Sequence, residues 1–279
     1  MHGTEKADNA ESQYFTMTEK FSGMLQTLGQ TTLKFFAAVG RLAQFSGHSI
    51  YHCFTPPFFL RLLLRQLINI GFYSLPVVGL TTLFTGMVLA LQSYSGFSRF
   101  SAEGAIATVV VLSITRELSP VLAGLMVAGR IGASIAAEIG TMRVTEQIDA
   151  LTTLSTNPYK YLIAPRLIAG TLMLPALVLI GDIIGVFGGY IVSIYSLGFI
   201  PENYLHKTWE YLERMDVISG LWKAAAFGFI VTLMGCYHGF NSDRGAQGVG
   251  SATTNAVVSS SILILISNYF LTQLFFTGK

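Results

Sequence analysis

The run LINIGFYSLPVVGLTTLFTGMVLAL, residues 67–91, decides the fold. No charged residue lies between Arg65 and Arg99. An α-helix rises 1.5 Å per residue, so about 20 apolar residues cross a hydrocarbon core roughly 30 Å thick. The run therefore predicts a membrane-spanning helix. Four more segments read the same way. Residues 105–128 are apolar except for Arg116 and Glu117, and residues 167–197 contain Pro175 and Asp182. Residues 217–237 carry Lys223 near their start, and residues 256–276 sit in a charge-free stretch between Arg244 and Lys279.

Composition agrees. The 279 residues are 52% hydrophobic and 11% charged, against about 25% charged in an average soluble domain. So few charges cannot solvate the outside of a globule built from this chain. The fold class is an all-α integral membrane protein with five transmembrane helices. The net charge of +2 gives no case for nucleic acid as a partner. Cys53 and Cys236 are far apart, lack metal-ligand spacing and read as reduced thiols. His48, His52, His206 and His238 form no metal constellation, and neither GxSxG nor HExxH occurs.

Residues 1–17 are polar, without the apolar core of a signal peptide, and predict a disordered tail. From Phe21 the apolar positions Met24, Leu25, Leu28, Phe35, Phe36, Val39 and Leu42 recur at helical spacing, with Lys20, Lys34 and Arg41 off the stripe. Residues 18–60 thus predict an N-terminal amphipathic helix lying at the membrane interface or packing on the bundle.

Loop charges give orientation. Lys34, Arg41, Arg61 and Arg65 precede the first span, Arg130, Arg143, Lys160 and Arg166 fall between the second and third, and Arg244 between the last two. Arg99, Lys207, Arg214 and Lys279 lie on the other side. The N-terminus is expected in the cytoplasm and the C-terminus on the far side.

One segment, GRIGASIAAEIGTMRVTEQIDAL (residues 129–151), interrupts this pattern on the cytoplasmic side. Ile135, Ile139, Met142, Ile148 and Leu151 form an apolar stripe, Glu138, Arg143, Glu146 and Asp149 supply charge, and small residues permit close helix approach. A short helix that docks on a cytosolic partner is one reading; a solvated connector is the other. Arg116 and Glu117 also admit two readings: the lining of a cavity that handles a polar headgroup, or a buried ion network that joins helices. Adjacent helix positions diverge by about 100°, which predicts separate partners for the two. Asp182 and Lys223 are candidates for a mutual pair, with a snorkelling Lys223 as the alternative. Trp209 and Trp222 read as interface anchors.

Residues 112–151, LSITRELSPVLAGLMVAGRIGASIAAEIGTMRVTEQIDAL, resemble the signature of the MlaE/YrbE permease family. Further marks are RQL at 65–67, TGMVLALQ at 85–92, PR at 165–166 and SATT at 251–254. The likeness extends from about Arg61 to residue 279. It implies the membrane subunit of an ABC transporter that moves phospholipids between membranes, placed in a bacterial inner membrane. It implies a homodimer, a separate ATPase subunit that uses the ATP, a periplasmic MCE-domain partner and an accessory subunit of STAS type. No cofactor is expected in this chain, which carries no GxxxxGK[ST] phosphate loop. Carried over residue by residue, Glu138, Gly140, Arg143, Glu146 and Asp149 would contact the ATPase. Leu89, Gly96, Phe97 and Phe100 would touch acyl chains. The alternative from another class is a carrier or channel driven by an ion gradient, with Arg116, Glu117 and Asp182 as a proton relay.

Overall fold

The computed structural model describes residues 4–56, 59–100 and 102–276; side chains are described from Gln26 onward, apart from 27, 28, 35, 100 and 103. The side chains of Phe21, Met24, Leu25, Leu28 and Phe35 in the expected N-terminal stripe, and that of Phe100, lie outside the described residues. The chain divides into Met1–His48 and Ser49–Lys279. In the first unit the backbone is helical from Thr4, as part of α1 (Thr4–Phe54). That helix takes in most of the stretch read as a polar tail and most of the amphipathic segment. Leu33, Phe36 and Val39 are exposed on it.

The second unit holds five helices long and apolar enough to cross a membrane: Leu60–Phe97, Ile106–Val144, Tyr159–Tyr195, Arg214–Phe240 and Ala246–Phe276. All five predicted spans are present, but their ends and continuity differ from the sequence reading. The first consists of α2 (Leu60–Ile70) and α3 (Leu75–Phe97), joined by a 3₁₀ turn at Phe72–Ser74. Pro76 explains the break, because its ring excludes the carbonyl of the residue four positions back and it donates no N–H.

The second span is longer than predicted. It runs through α4 (Ile106–Ser113), a π-helical turn at Ile114–Leu118, α5 (Ser119–Val127), a second π turn at Ala128–Gly132, and α6 (Ala133–Val144). The first part of residues 129–151, read from the sequence as a separate cytoplasmic insert, instead continues the second span, and its small residues permit close packing as expected. Gly132, Ile135, Ala136, Ile139 and Gly140 are buried along a face against later helices. Only at Thr145–Glu146 does the helix turn, into the short α7 (Gln147–Thr153).

A third π turn, Tyr159–Ile163, leads into α8 (Ala164–Tyr195), which continues unbroken past Pro175. The amphipathic α9 (Pro201–Tyr211) lies on the opposite end of the bundle from α7. α10 (Arg214–Phe240) and α11 (Ala246–Phe276) complete the chain.

α8 packs on α3 and α10, and α10 also packs on α6 and α11. Glycine permits the closest crossings: a Cβ at Gly86 would overlap the carbonyl of Gly185, and one at Gly228 would overlap that of Gly170. Small residues at crossings are how helices associate where lipid removes the hydrophobic drive between them. Many large apolar side chains on the outside are exposed, among them Leu80, Phe84, Val88, Ile183, Phe187 and Phe270. That surface suits hydrocarbon rather than water. This is an all-α, multi-pass membrane protein.

Candidate functional site: a buried polar network and a helical elbow

The π turn at Ile114–Leu118 places Arg116 and Glu117 on divergent sides of the second span. Arg116 Nη2 and Nε both contact Asp216 Oδ1 at 2.7 Å, and its guanidinium lies 4.7 Å from the Phe276 ring centroid. Asp216 is 1% exposed and also accepts from the Glu213 backbone N–H at 3.1 Å, as part of a capping box that starts α10. Glu117 turns the other way. Its Oε1 accepts from Lys223 Nζ at 2.7 Å and from Thr272 Oγ1 at 2.9 Å, and its Oε2 accepts from Asn268 Nδ2 at 3.0 Å.

Lys223 is wholly buried, and corrects two expectations. It neither snorkels nor pairs with Asp182. Besides Glu117 it donates to the Arg116 carbonyl at 2.9 Å and to Thr272 Oγ1 at 2.8 Å. The wide π turn explains the first of these: it displaces regular i→i−4 bonding and leaves carbonyls free for a side-chain donor. Asp182 instead sits beside Ser119 on the other side of the bundle, whose hydroxyl donates to the Val178 carbonyl at 3.3 Å.

The network ties the second, fourth and fifth spans together. An unpaired charge at mid-bilayer costs about 2.5–3.5 kcal/mol on insertion scales, so opposite charges with hydrogen bonds to spare are the economical arrangement. Sequence reading found Arg116, Glu117 and Lys223 but missed Asp216, Asn268, Thr272 and Phe276. Asn268 and Thr272 stand at i, i+4 on α11, a spacing that points both to one neighbour.

The acyl-contact candidates are partly brought together. Leu89, on α3, and Phe97, its last residue, pack with Tyr94 and Phe199 on the chain's own core of Ala90, Ile106, Val110 and Ile114. Gly96 is exposed, with nothing near the place a Cβ would occupy. The backbone of Phe100 ends the 3₁₀ turn Ser98–Phe100.

At the other end, α6 and α7 meet in an elbow whose corner, Glu146, adopts a left-handed backbone with φ of 59°. A non-glycine residue there stores roughly 1–3 kcal/mol of strain, which functional corners retain. Arg143 Nη1 closes the elbow with an ion pair to Asp149 Oδ1 at 2.8 Å. Glu138 Oε1 pairs with Arg166 Nη2 at 2.9 Å; Arg166 is 4% exposed while Glu138 is half exposed. Gly140 faces inward, against Ser242 and Val249, so its contact is with this chain itself. Ser134, Ala137, Glu138, Thr141, Met142 and Gln147 line an open cleft on the outer side of the elbow.

Comparison with known proteins agrees with this architecture. The family model for permease MlaE matches residues 63–274. A probable ABC transporter permease protein of Rickettsia felis is 64% identical over 250 residues, covering 90% of this chain and 96% of the relative. A probable ABC transporter permease protein of Synechocystis is 43% identical over 215 residues, covering 77% of this chain and 82% of the relative. The intermembrane phospholipid transport system permease protein MlaE of Haemophilus influenzae is 34% identical over 261 residues, covering 90% of this chain and 97% of the relative. A five-span body bound by a buried polar network, matched over most of its length to permeases, places this chain in the MlaE family of ABC transporter permeases.

Proposed function

We propose that the chain moves glycerophospholipids between an inner membrane and a periplasmic MCE-domain partner, as one half of a homodimer driven by separate ATPase subunits. The observation that carries this reading is the 34% identity, over 90% of the chain, to a protein named for intermembrane phospholipid transport. The α7 end faces the cytoplasm in this account, in keeping with the basic residues Arg143, Lys160 and Arg166 there. The N-terminus is then cytoplasmic and the C-terminus periplasmic.

Glu138, Arg143, Glu146 and Asp149 on the elbow contact the ATPase, and the close seat of Gly140 on Ser242 relays its movement to the fifth span. ATP closure of the motor rocks the elbow as a rigid body, since the long second span joins it directly to the Arg116 and Glu117 network. Leu89, Gly96, Phe97 and Phe100 form the protomer's share of an acyl-chain pocket, with Arg116 toward the headgroup. A STAS-type accessory subunit binds on the ATPase side. The chain performs no covalent chemistry, and ATP is used by its partner.

The test is reconstitution of the chain with its ATPase and MCE partner in liposomes carrying a fluorescent phospholipid. ATP-dependent transfer that stops with a hydrolysis-dead ATPase supports the proposal. Transfer driven instead by an ion gradient, with no response to ATP, overturns it and favours the carrier alternative.

A further inference from the structure

A second cavity lies away from the Arg116 network, between α8, α9 and the start of α10. Its volume is about 530 Å³ and its walls are almost wholly apolar, with Leu179, Ile183, Val186 and Phe187 on α8 facing Leu205 and Trp209 on α9. That is the size and character of a site for one lipid chain. Asp182 lines it, 6% exposed, and neither carboxyl oxygen has a hydrogen-bond partner. Tyr204 lines it too, 5% exposed, with its hydroxyl beside that of the buried Ser193. A buried polar group without a partner costs on the order of 1–3 kcal/mol, so the Asp182 carboxyl calls for an occupant.

Chemistry narrows that occupant. Among the described residues no lysine, arginine or histidine lines the groove, so a phosphate group placed beside Asp182 would be unpaired or repelled. A carboxyl group accepts a hydrogen bond from a hydroxyl in either protonation state. The depth of the two polar groups matters as well. Tyr204 Oη lies near Gly189, and Gly189 is seven residues along α8 from Asp182, or about 10 Å of helix rise. Tyr204 is shared with a neighbouring cavity at the α9 end, where His206 lies 3.5 Å from Glu210 and Lys207 donates to the Gly104 carbonyl at 3.1 Å. Lys207 is the cation an anionic head meets there, while its chain descends the groove toward Asp182.

We propose that this groove binds a single acyl chain with an acidic head at the α9 end and a hydroxyl partway along the chain, held by Asp182. A hydroxylated fatty acid has this form. The site stands apart from the transported substrate, and its existence does not depend on which lipid is moved.

Trp209 on the groove wall supplies the readout. The chain has two tryptophans, and the other, Trp222, is exposed, so W222F leaves Trp209 as the sole reporter. The full-length W222F protein in lipid nanodiscs is titrated with nitroxide-labelled octadecanoate, which should quench Trp209 saturably. Octadecanoate with a mid-chain hydroxyl should displace the probe at about tenfold lower concentration than plain octadecanoate, the effect of one good hydrogen bond. D182L should bring that ratio to about one while quenching persists. Filling the groove from its exposed rim with I183F should weaken both competitors together, and reports independently should D182L fold poorly. Quenching that does not saturate, equal competition by the two octadecanoates, or a preference that survives D182L would overturn the proposal.

Discussion

Lys223 Nζ meets Glu117 Oε1 at 2.7 Å, the Arg116 carbonyl at 2.9 Å and Thr272 Oγ1 at 2.8 Å. Three acceptors match the three protons of an ammonium group, so a fully buried lysine is satisfied without water. Removing one partner of such a pair strands the other and costs about 3–5 kcal/mol, whereas replacing both by apolar side chains is close to neutral.

The first prediction follows. Lys223→Met should lower stability by roughly 3 kcal/mol or more, and Glu117→Gln by less, because Glu117 is over a third exposed. The double variant Lys223→Met with Glu117→Leu should recover most of the loss. Thermal unfolding in one detergent, arranged as a double-mutant cycle, measures the coupling directly.

A second prediction concerns helix approach. Gly86→Ala must push α3 away from Gly185 on α8, since the added Cβ would overlap a backbone carbonyl that cannot move aside. Overpacking of this kind costs about 1–3 kcal/mol. Gly96→Ala meets nothing among the described residues and should leave the melting temperature unchanged or slightly higher.

A third concerns alkaline pH. Burial pushes the Tyr204 phenol above its ordinary value of 10.0. The folded state thus holds the proton more tightly than the unfolded one. The resulting stability is complete below about pH 10 and declines as pH rises toward the folded-state value. Tyr204→Phe should flatten that decline, as followed by melting temperature across the alkaline range.

The fourth separates stability from coupling at the elbow. The Arg143–Asp149 pair is exposed on both sides, and exposed pairs contribute about 0–1 kcal/mol. Asp149→Ala should therefore barely shift unfolding, yet reduce ATP-driven lipid transfer in liposomes. Unchanged transfer would remove Asp149 from the contact with the motor.

Much of this organisation was legible in the sequence because membrane helices are written in long apolar runs. All five spans are present, though with other ends, and the divergence of Arg116 and Glu117 followed from helix geometry alone. Three features were not legible. The break before Pro76 was hidden because its flanks are as apolar as the rest of the span. Residues 129–144 looked like an insert because the glycines and charges that mark a loop also mark a helix packed tightly among others. The partner of Lys223 was missed because pairing across spans depends on which faces meet, and Asp182 and Glu117 are equally acidic on paper. Asn268 and Thr272 share a helix face at i, i+4, but α11 carries many other Ser, Thr and Asn residues, so the spacing alone does not single them out.

The central claim is that the elbow between α6 and α7 receives force from a separate ATPase. A photocrosslinking amino acid placed singly at Gln147, on the elbow cleft, or at Trp209, on α9, tests it in cells that make the whole transporter. The account predicts an adduct with the ATPase from position 147 and none from position 209. An ATPase adduct from position 209, or adducts from neither, would contradict it.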